Sequence, residues 1–203
     1  VYWQTVYTLF FTSIVKNKHE NVKYALFTNV RSFPLRKEIE SLGVVIFDDL
    51  QLSHRNASQW ATVKFFFDVL SYVEDSLYFN DGDSIIMLDT DCIALNSSAE
   101  LFSHVARMDR PAAYITGTIG SADVRFHGLS ISTLENIFED IFSCDITIKN
   151  TIGGEFFAFN KSETLKKFRI QCEHLLTAAH SDLLTTEEQI LTMLNANISF
   201  LTV

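Results

Sequence analysis

Residues 84 to 95, SIIMLDTDCIAL, limit what this chain can become more than any other stretch. Four consecutive apolar residues, Ile85 to Leu88, come one residue after the polar turn NDGD, which is how a buried strand reads. The run ends on Asp89 and Asp91, one residue apart, and turns apolar again at Ile93. Side chains of a strand alternate between faces, so the two acids point the same way and hold their charges close together. Carboxylates so placed repel each other unless something cationic lies between them. The plainer alternative is a solvated turn in which the acids only end the strand. Ligands of α/β sheets sit beyond the carboxyl ends of strands, and that rule favours a site.

The rest of the chain alternates strand-like and helix-like segments. VYWQTVYTLFFTSIVKN places Trp3, Val6, Phe10 and Ile14 at helical spacing, although TVYTLFF alone also reads as a strand. A strand over VKYALFTN, a short helix over LRKEIESLG and a strand over VVIFDD follow. ASQWATVKFFFDVLSYVE is then a long helix with Trp60, Phe67, Leu70 and Val73 inward. Beyond the two acids the expected order is a helix from residue 99, a strand AAYIT, a loop GTIGSADVRFHG, a helix STLENIFEDIF, a strand EFFAFN and two further helices. Such alternation implies βαβ units and a mainly parallel sheet flanked by helices, with the two acids at the end of a central strand.

Composition supports one globular domain. The chain has 203 residues, 47% hydrophobic and 20% charged, and its 18 Phe against 7 Gly and 2 Pro leave little room for linkers. A net charge of −9 without a basic stripe argues against nucleic acid as a partner, and no stretch approaches the length of a membrane span. The three Cys residues lack the close pairing of zinc or redox motifs and suit a reducing compartment, so a cytoplasmic location is expected. Asn-x-Ser triplets at Asn56, Asn96, Asn160 and Asn197 keep a secretory lumen open as the alternative. Val1 in place of Met, and an end inside the strand-like SFLTV, lead us to expect truncation at both ends.

The helix carrying WATVKF, the polar turn and SIIMLDTDCIAL together resemble the glycosyltransferases of the GT-A fold. TIGGEFFAFNK resembles the Gly-containing strand that lines the sugar pocket there, and TTEEQILTMLN the acidic helix start that follows it. The resemblance implies a GT-A-like, Rossmann-related α/β domain over 1–203, with residues 1–95 as the nucleotide-sugar half and 96–203 as the acceptor half. It implies transfer of a sugar from a nucleotide diphosphate sugar to an acceptor hydroxyl, on a carbohydrate, lipid-linked or protein acceptor. The cofactor implied is Mn²⁺ or Mg²⁺, hard cations that take oxygen ligands and complete their shell with water and phosphate. Asp91 would be the direct metal ligand, and Asp89 would bind the ribose or share the metal. Lys64 would contact the donor, and Thr28 and Asn29 would lie near the nucleotide by sheet position.

Gly153 and Gly154 permit close approach to a sugar, or are simply a turn or bulge before a strand. Glu155 at the mouth of the apolar FFAF is a candidate catalytic or acceptor-binding acid, since an unpaired carboxylate is costly to bury there. Glu188 is the other catalytic candidate, ahead of Glu187, although Thr185 with Glu188, or Thr186 with Gln189, also fits a capping box. His127 in RFHG is placed near an acceptor. Two other readings stay open: a phosphohydrolase of the haloacid dehalogenase type, which also uses Asp-x-Asp at a strand end, and a non-catalytic nucleotide-sugar or carbohydrate binding module.

Overall fold

The computed structural model describes residues 1–17, 22–50, 61–90, 92, 97–178 and 181–202. In chain order the elements are helix α1 (Tyr2–Lys16), strand β1 (Ala25–Phe27), helix α2 (Arg36–Ser41), β2 (Val45–Phe47), α3 (Ala61–Asp75) and β3 (Ser84–Leu88). They continue with α4 (Ala99–Val105), β4 (Ala112–Thr118), β5 (Arg125–Phe126), β6 (Leu129–Ser130), α5 (Ile131–Phe142), β7 (Asn150–Asn160), α6 (Glu163–Thr177), α7 (Glu187–Ile198) and β8 (Leu201–Thr202). A 3-10 turn, Ser181–Leu183, precedes α7.

The aromatic spacing of the first segment does form a helix. Val6 is buried, and Trp3, Tyr7, Phe10 and Ile14 pack with it on Leu26, Phe33, Ile39 and Val44. Trp3 stacks on Phe33 with ring centroids 3.9 Å apart. The parallel pair β1–β2 lies against this small core. Aromatic contacts from Phe27 and Phe47 to Tyr72 and Phe79 lead from it toward the main core.

The main core is built on β7, whose Phe157 and Phe159 are fully buried among residues of α3, α5, α6 and α7. Phe157 meets the rings of Phe66, Phe159, Phe168 and Phe200 at 5.2 to 5.9 Å between centroids. This cluster is where much of the chain's phenylalanine goes. Each such ring withdrawn from water contributes about 1.5–3 kcal/mol before its ordering cost. Trp60, expected to face the same interior, lies outside the described residues.

The sheet departs from expectation in two respects. Its order is β3-β7-β4-β8, with β7 antiparallel to both β3 and β4 and only β4–β8 parallel, so it is not mainly parallel. Second, β3 borders this sheet among the described residues instead of lying at its centre, and it is half-buried from Ser84 to Met87 and exposed at Leu88. The first difference has a local origin. The loop expected over residues 117–128 contains β5 and begins the β5–β6 hairpin, and α5 starts from the end of β6 with Ser130 as its cap. The strand–helix–strand count that implies a parallel pair therefore does not apply between β4 and β7. Among the described residues, no helix is long and apolar enough to cross a membrane.

Candidate functional site

The Gly-Gly-Glu segment sits inside β7, not in front of it. Between the pairs Ala113–Phe157 and Ile115–Ile152, β4 advances two residues while β7 advances five. Residues 153 to 156 therefore arch out of the ladder as a wide bulge, a device that re-aims side chains. On its other side β7 stays paired with β3 as far as Leu88–Phe156, and one further bond runs from the Asp89 amide to the Glu155 carbonyl at 3.1 Å. The carboxyl end of β3 and the bulge are thus one structure. Cys92 closes the turn after β3, its amide donating to the Asp89 carbonyl at 3.0 Å and its thiol facing the Glu155 carbonyl at 3.6 Å.

Neither glycine of the bulge has a positive φ; each is there for room. A Cβ on Gly153 would stand 2.2 Å from Glu155 Oε2 and 2.8 Å from Thr116 Cγ2. A Cβ on Gly154 would stand 2.7 Å from Glu187 Oε1. Adjacent strand residues face opposite sides, so the glycines bed Glu155 on one face of β7 and Glu187 on the other. The space we assigned from sequence to a ligand above these glycines is taken, in this structure, by the protein's own carboxylates.

Helix α7 delivers the second acidic pair. Its N-cap is Thr186, whose hydroxyl accepts the Gln189 amide at 3.3 Å while Gln189 Oε1 accepts the amides of Thr185 and Thr186 at 2.7 and 3.2 Å. The capping box is Thr186 with Gln189, which leaves Glu188 free of capping duty. Glu188 instead bridges: Oε1 accepts the Gly154 amide at 3.3 Å, and Oε2 pairs with His127 Nε2 at the tip of the β5–β6 hairpin. The buried Gln189 side chain donates to the carbonyls of Phe126 and His127 at 3.3 and 3.1 Å, so helix and hairpin are clamped together. Thr192, one turn on and also buried, accepts the Ile152 amide at 3.0 Å and fixes α7 against β7.

The two acids at the start of α7 therefore differ. Glu188 is held by a backbone amide and an imidazole. Glu187 lies over Gly154, and its pKa is raised from the ordinary glutamate value. Burial is the main cause, with the charges of Glu188 and Asp89 adding to it, against its own backbone amide and His127. That Asp89 acts on Glu187 ties the end of β3 to the start of α7 electrostatically.

The remaining candidates lie as follows. Asp89 and Glu155 are exposed beside each other's backbone. Asp91 lies outside the described residues. Lys64 is half-buried on α3, and no hydrogen bond or ion pair joins it to Asp89, Glu155 or Glu187 among the described residues. Thr28 is buried at the end of β1, with its amide on the Phe47 carbonyl at 2.9 Å and its hydroxyl accepting the Val30 amide at 3.1 Å, while Asn29 is exposed. The Thr28 amide and hydroxyl are thus engaged in local structure. Of the glycosylation triplets, Asn160 spends its side-chain amide on the Met108 carbonyl at 3.1 Å. No group of three or more His, Cys, Asp or Glu side chains among the described residues is arranged to hold a metal ion.

Sequence reasoning ranked Glu188 over Glu187 and did not see Gln189 as a clamp. The signal for the clamp was present in part, since Thr186 with Gln189 read as a capping box; the far end of the same amide reaches a hairpin whose two-residue strands are too short for periodicity to show.

By sequence, no family model and no curated protein matches the chain. By structure, it is similar to mouse xyloside xylosyltransferase 1, solved in its apo form, with a TM-score of 0.54 and 11% identity over 100% of this chain and 79% of that one. The likeness extends over every element described above and shows an α/β fold shared with a glycosyltransferase.

Proposed function

We propose that this protein is a metal-dependent glycosyltransferase that moves a sugar from a nucleoside diphosphate donor to an acceptor hydroxyl. The observation that carries the reading is the β7 bulge, which joins the Asp89 end of β3 to the acidic start of α7, within a fold shared with a glycosyltransferase. Four carboxylates, those of Asp89, Glu155, Glu187 and Glu188, stand around one bulge in a protein of net charge −9, a poor place for a diphosphate unless a cation intervenes.

Hard divalent ions such as Mn²⁺ or Mg²⁺ take carboxylate oxygens, and in this reading Asp89 and Asp91 would be the residues that hold one. When bound, the ion offsets charge on the departing diphosphate. The protein's own residues do the rest. Asp89 and Asp91 would seat the donor end, Glu188 is fixed by Gly154 and His127, and Glu187 is the carboxyl whose burial favours the protonated form and so suits it to exchange a proton. Glu155, on the other face of the bulge, belongs to the acceptor side in this reading. The neighbour's name puts nucleotide-linked xylose and a xyloside first among the pairs to test.

Calorimetry of the full chain against a panel of nucleotide sugars, with and without Mn²⁺, tests class, donor and metal together. The expected result is binding of a nucleoside diphosphate sugar only with metal, lost in Asp91→Asn, and transfer to an added acceptor. Equal binding without metal in both proteins rejects the metal seat, and binding without any turnover favours a non-catalytic module.

A further inference from the structure

The β5–β6 hairpin turns through His127 and Gly128, both at positive φ, 48° and 89°. Two such residues are what a two-residue type I′ loop requires, and the residues that suit it best are Asn or Asp followed by Gly. Histidine tolerates positive φ better than most side chains, but a turn selected for its own stability has a cheaper choice. What histidine adds over Asn is reach. Its Nε2 meets Glu188 Oε2, while Glu188 Oε1 accepts the Gly154 amide at 3.3 Å. The hairpin that carries it is held by Gln189 through the Phe126 and His127 carbonyls, and the Phe126 ring stands edge-on to the imidazole at 4.4 Å. The imidazole is therefore braced by groups from α7 and from its own hairpin, with a carboxylate as its target.

We propose that His127 is a positioning residue: it holds Glu188 against the β7 bulge and so leaves Glu187 as the carboxyl of α7 that lies over Gly154, open to a reacting group. The inference rests on the transferase reading above. His127 acts through Glu188, so removing either partner breaks the same device. Glu188 is also fixed by the Gly154 amide, and for that reason loss of His127 loosens the carboxylate without freeing it completely.

The test is a double-mutant cycle on the full chain, using the nucleotide sugar that the calorimetric panel selects. His127→Asn keeps the preference for positive φ and loses the reach to Glu188. It is expected to lower kcat at least about tenfold, with KM for the donor little changed, because a misplaced group costs rate more than ground-state binding. Glu188→Gln is expected to lower kcat further, and the double variant to be no slower than Glu188→Gln alone, since residues acting as one unit are not additive. His127→Gln, which retains a side-chain N–H donor, is expected to recover part of the rate despite a less favourable turn. Wild-type kcat in His127→Asn, multiplicative losses in the double variant, or no recovery in His127→Gln each overturn the role while transfer by the wild-type protein upholds the transferase reading. If the wild-type protein transfers no sugar from any donor it binds, the transferase reading fails and takes the role of His127 with it.

Discussion

At the scale of the residue, the acids around the bulge are distinguished by what each one touches. Glu187 has a raised pKa in the folded protein, so folding takes up a proton between the ordinary carboxylate value and the raised one. Its contribution to stability is fully present below the ordinary value and is lost as pH rises through the raised one. Glu187→Gln is therefore expected to melt at a higher temperature than wild type at neutral pH, with the gap closing on acidification to about pH 4. A wild type that is the more stable at neutral pH would overturn the ordering of the two acids. The glycines make a second prediction. In Gly154→Ala the new Cβ meets only the flexible end of Glu187, so the fold is expected to survive while Glu187 is displaced and turnover falls. In Gly153→Ala the Cβ meets Thr116 as well, a β-branched side chain hydrogen-bonded to Thr151 at 3.0 Å, and a loss of about 1–3 kcal/mol in urea unfolding is expected. If both variants unfold alike, the glycines do not have these separate tasks.

At the scale of the element, short connections hold the site in place. Lys161 directly follows β7, and its buried ammonium donates to the carbonyls of Ser76 and Phe79 at 2.9 and 2.8 Å, just past the end of α3. Lys161→Met leaves two carbonyls without their charged donor and is expected to cost roughly 2–4 kcal/mol by urea titration; a loss under 1 kcal/mol would show that water replaces it. Gln189 does the corresponding work for α7, and Gln189→Leu is expected to speed amide hydrogen exchange across residues 125–130, leaving exchange in the main core strands unchanged. The helices were legible because their periodicity is local, as in STLENIFEDIF, which buries Leu134, Ile137 and Phe138. The hairpin was not, since two residues per strand carry no pattern, and its one signal was the Gly of His-Gly. Strand β7 read as beginning at Glu155 but begins at Asn150, because a glycine pair looks like a strand's edge when its bulge partner on β4 is unknown.

At the scale of the whole molecule, the Phe-rich interior and the acidic surface answer different demands. Phe157→Ala, at the centre of four aromatic contacts, is expected to cost about 3–5 kcal/mol and lower Tm by roughly 10 °C, measured by calorimetric melting. A small shift would mean the ring cluster repacks around the cavity. The sequence by itself determined that the chain mixes helices and strands, which segments are helical, that an apolar strand stops just before Asp89, and that acids stand near the start of the last long helix. These follow from spacing along the chain, which short-range sterics and burial translate directly into structure. The tertiary structure alone decided that β7 runs against its neighbours, that the glycines make room for Glu155 and Glu187, and that Glu188 is paired with His127 while Glu187 is not. The register and bulge of β7 and the proton affinity of a buried acid depend on partners up to 98 residues away in the sequence, brought near only when the chain has packed, and no local pattern encodes that distance.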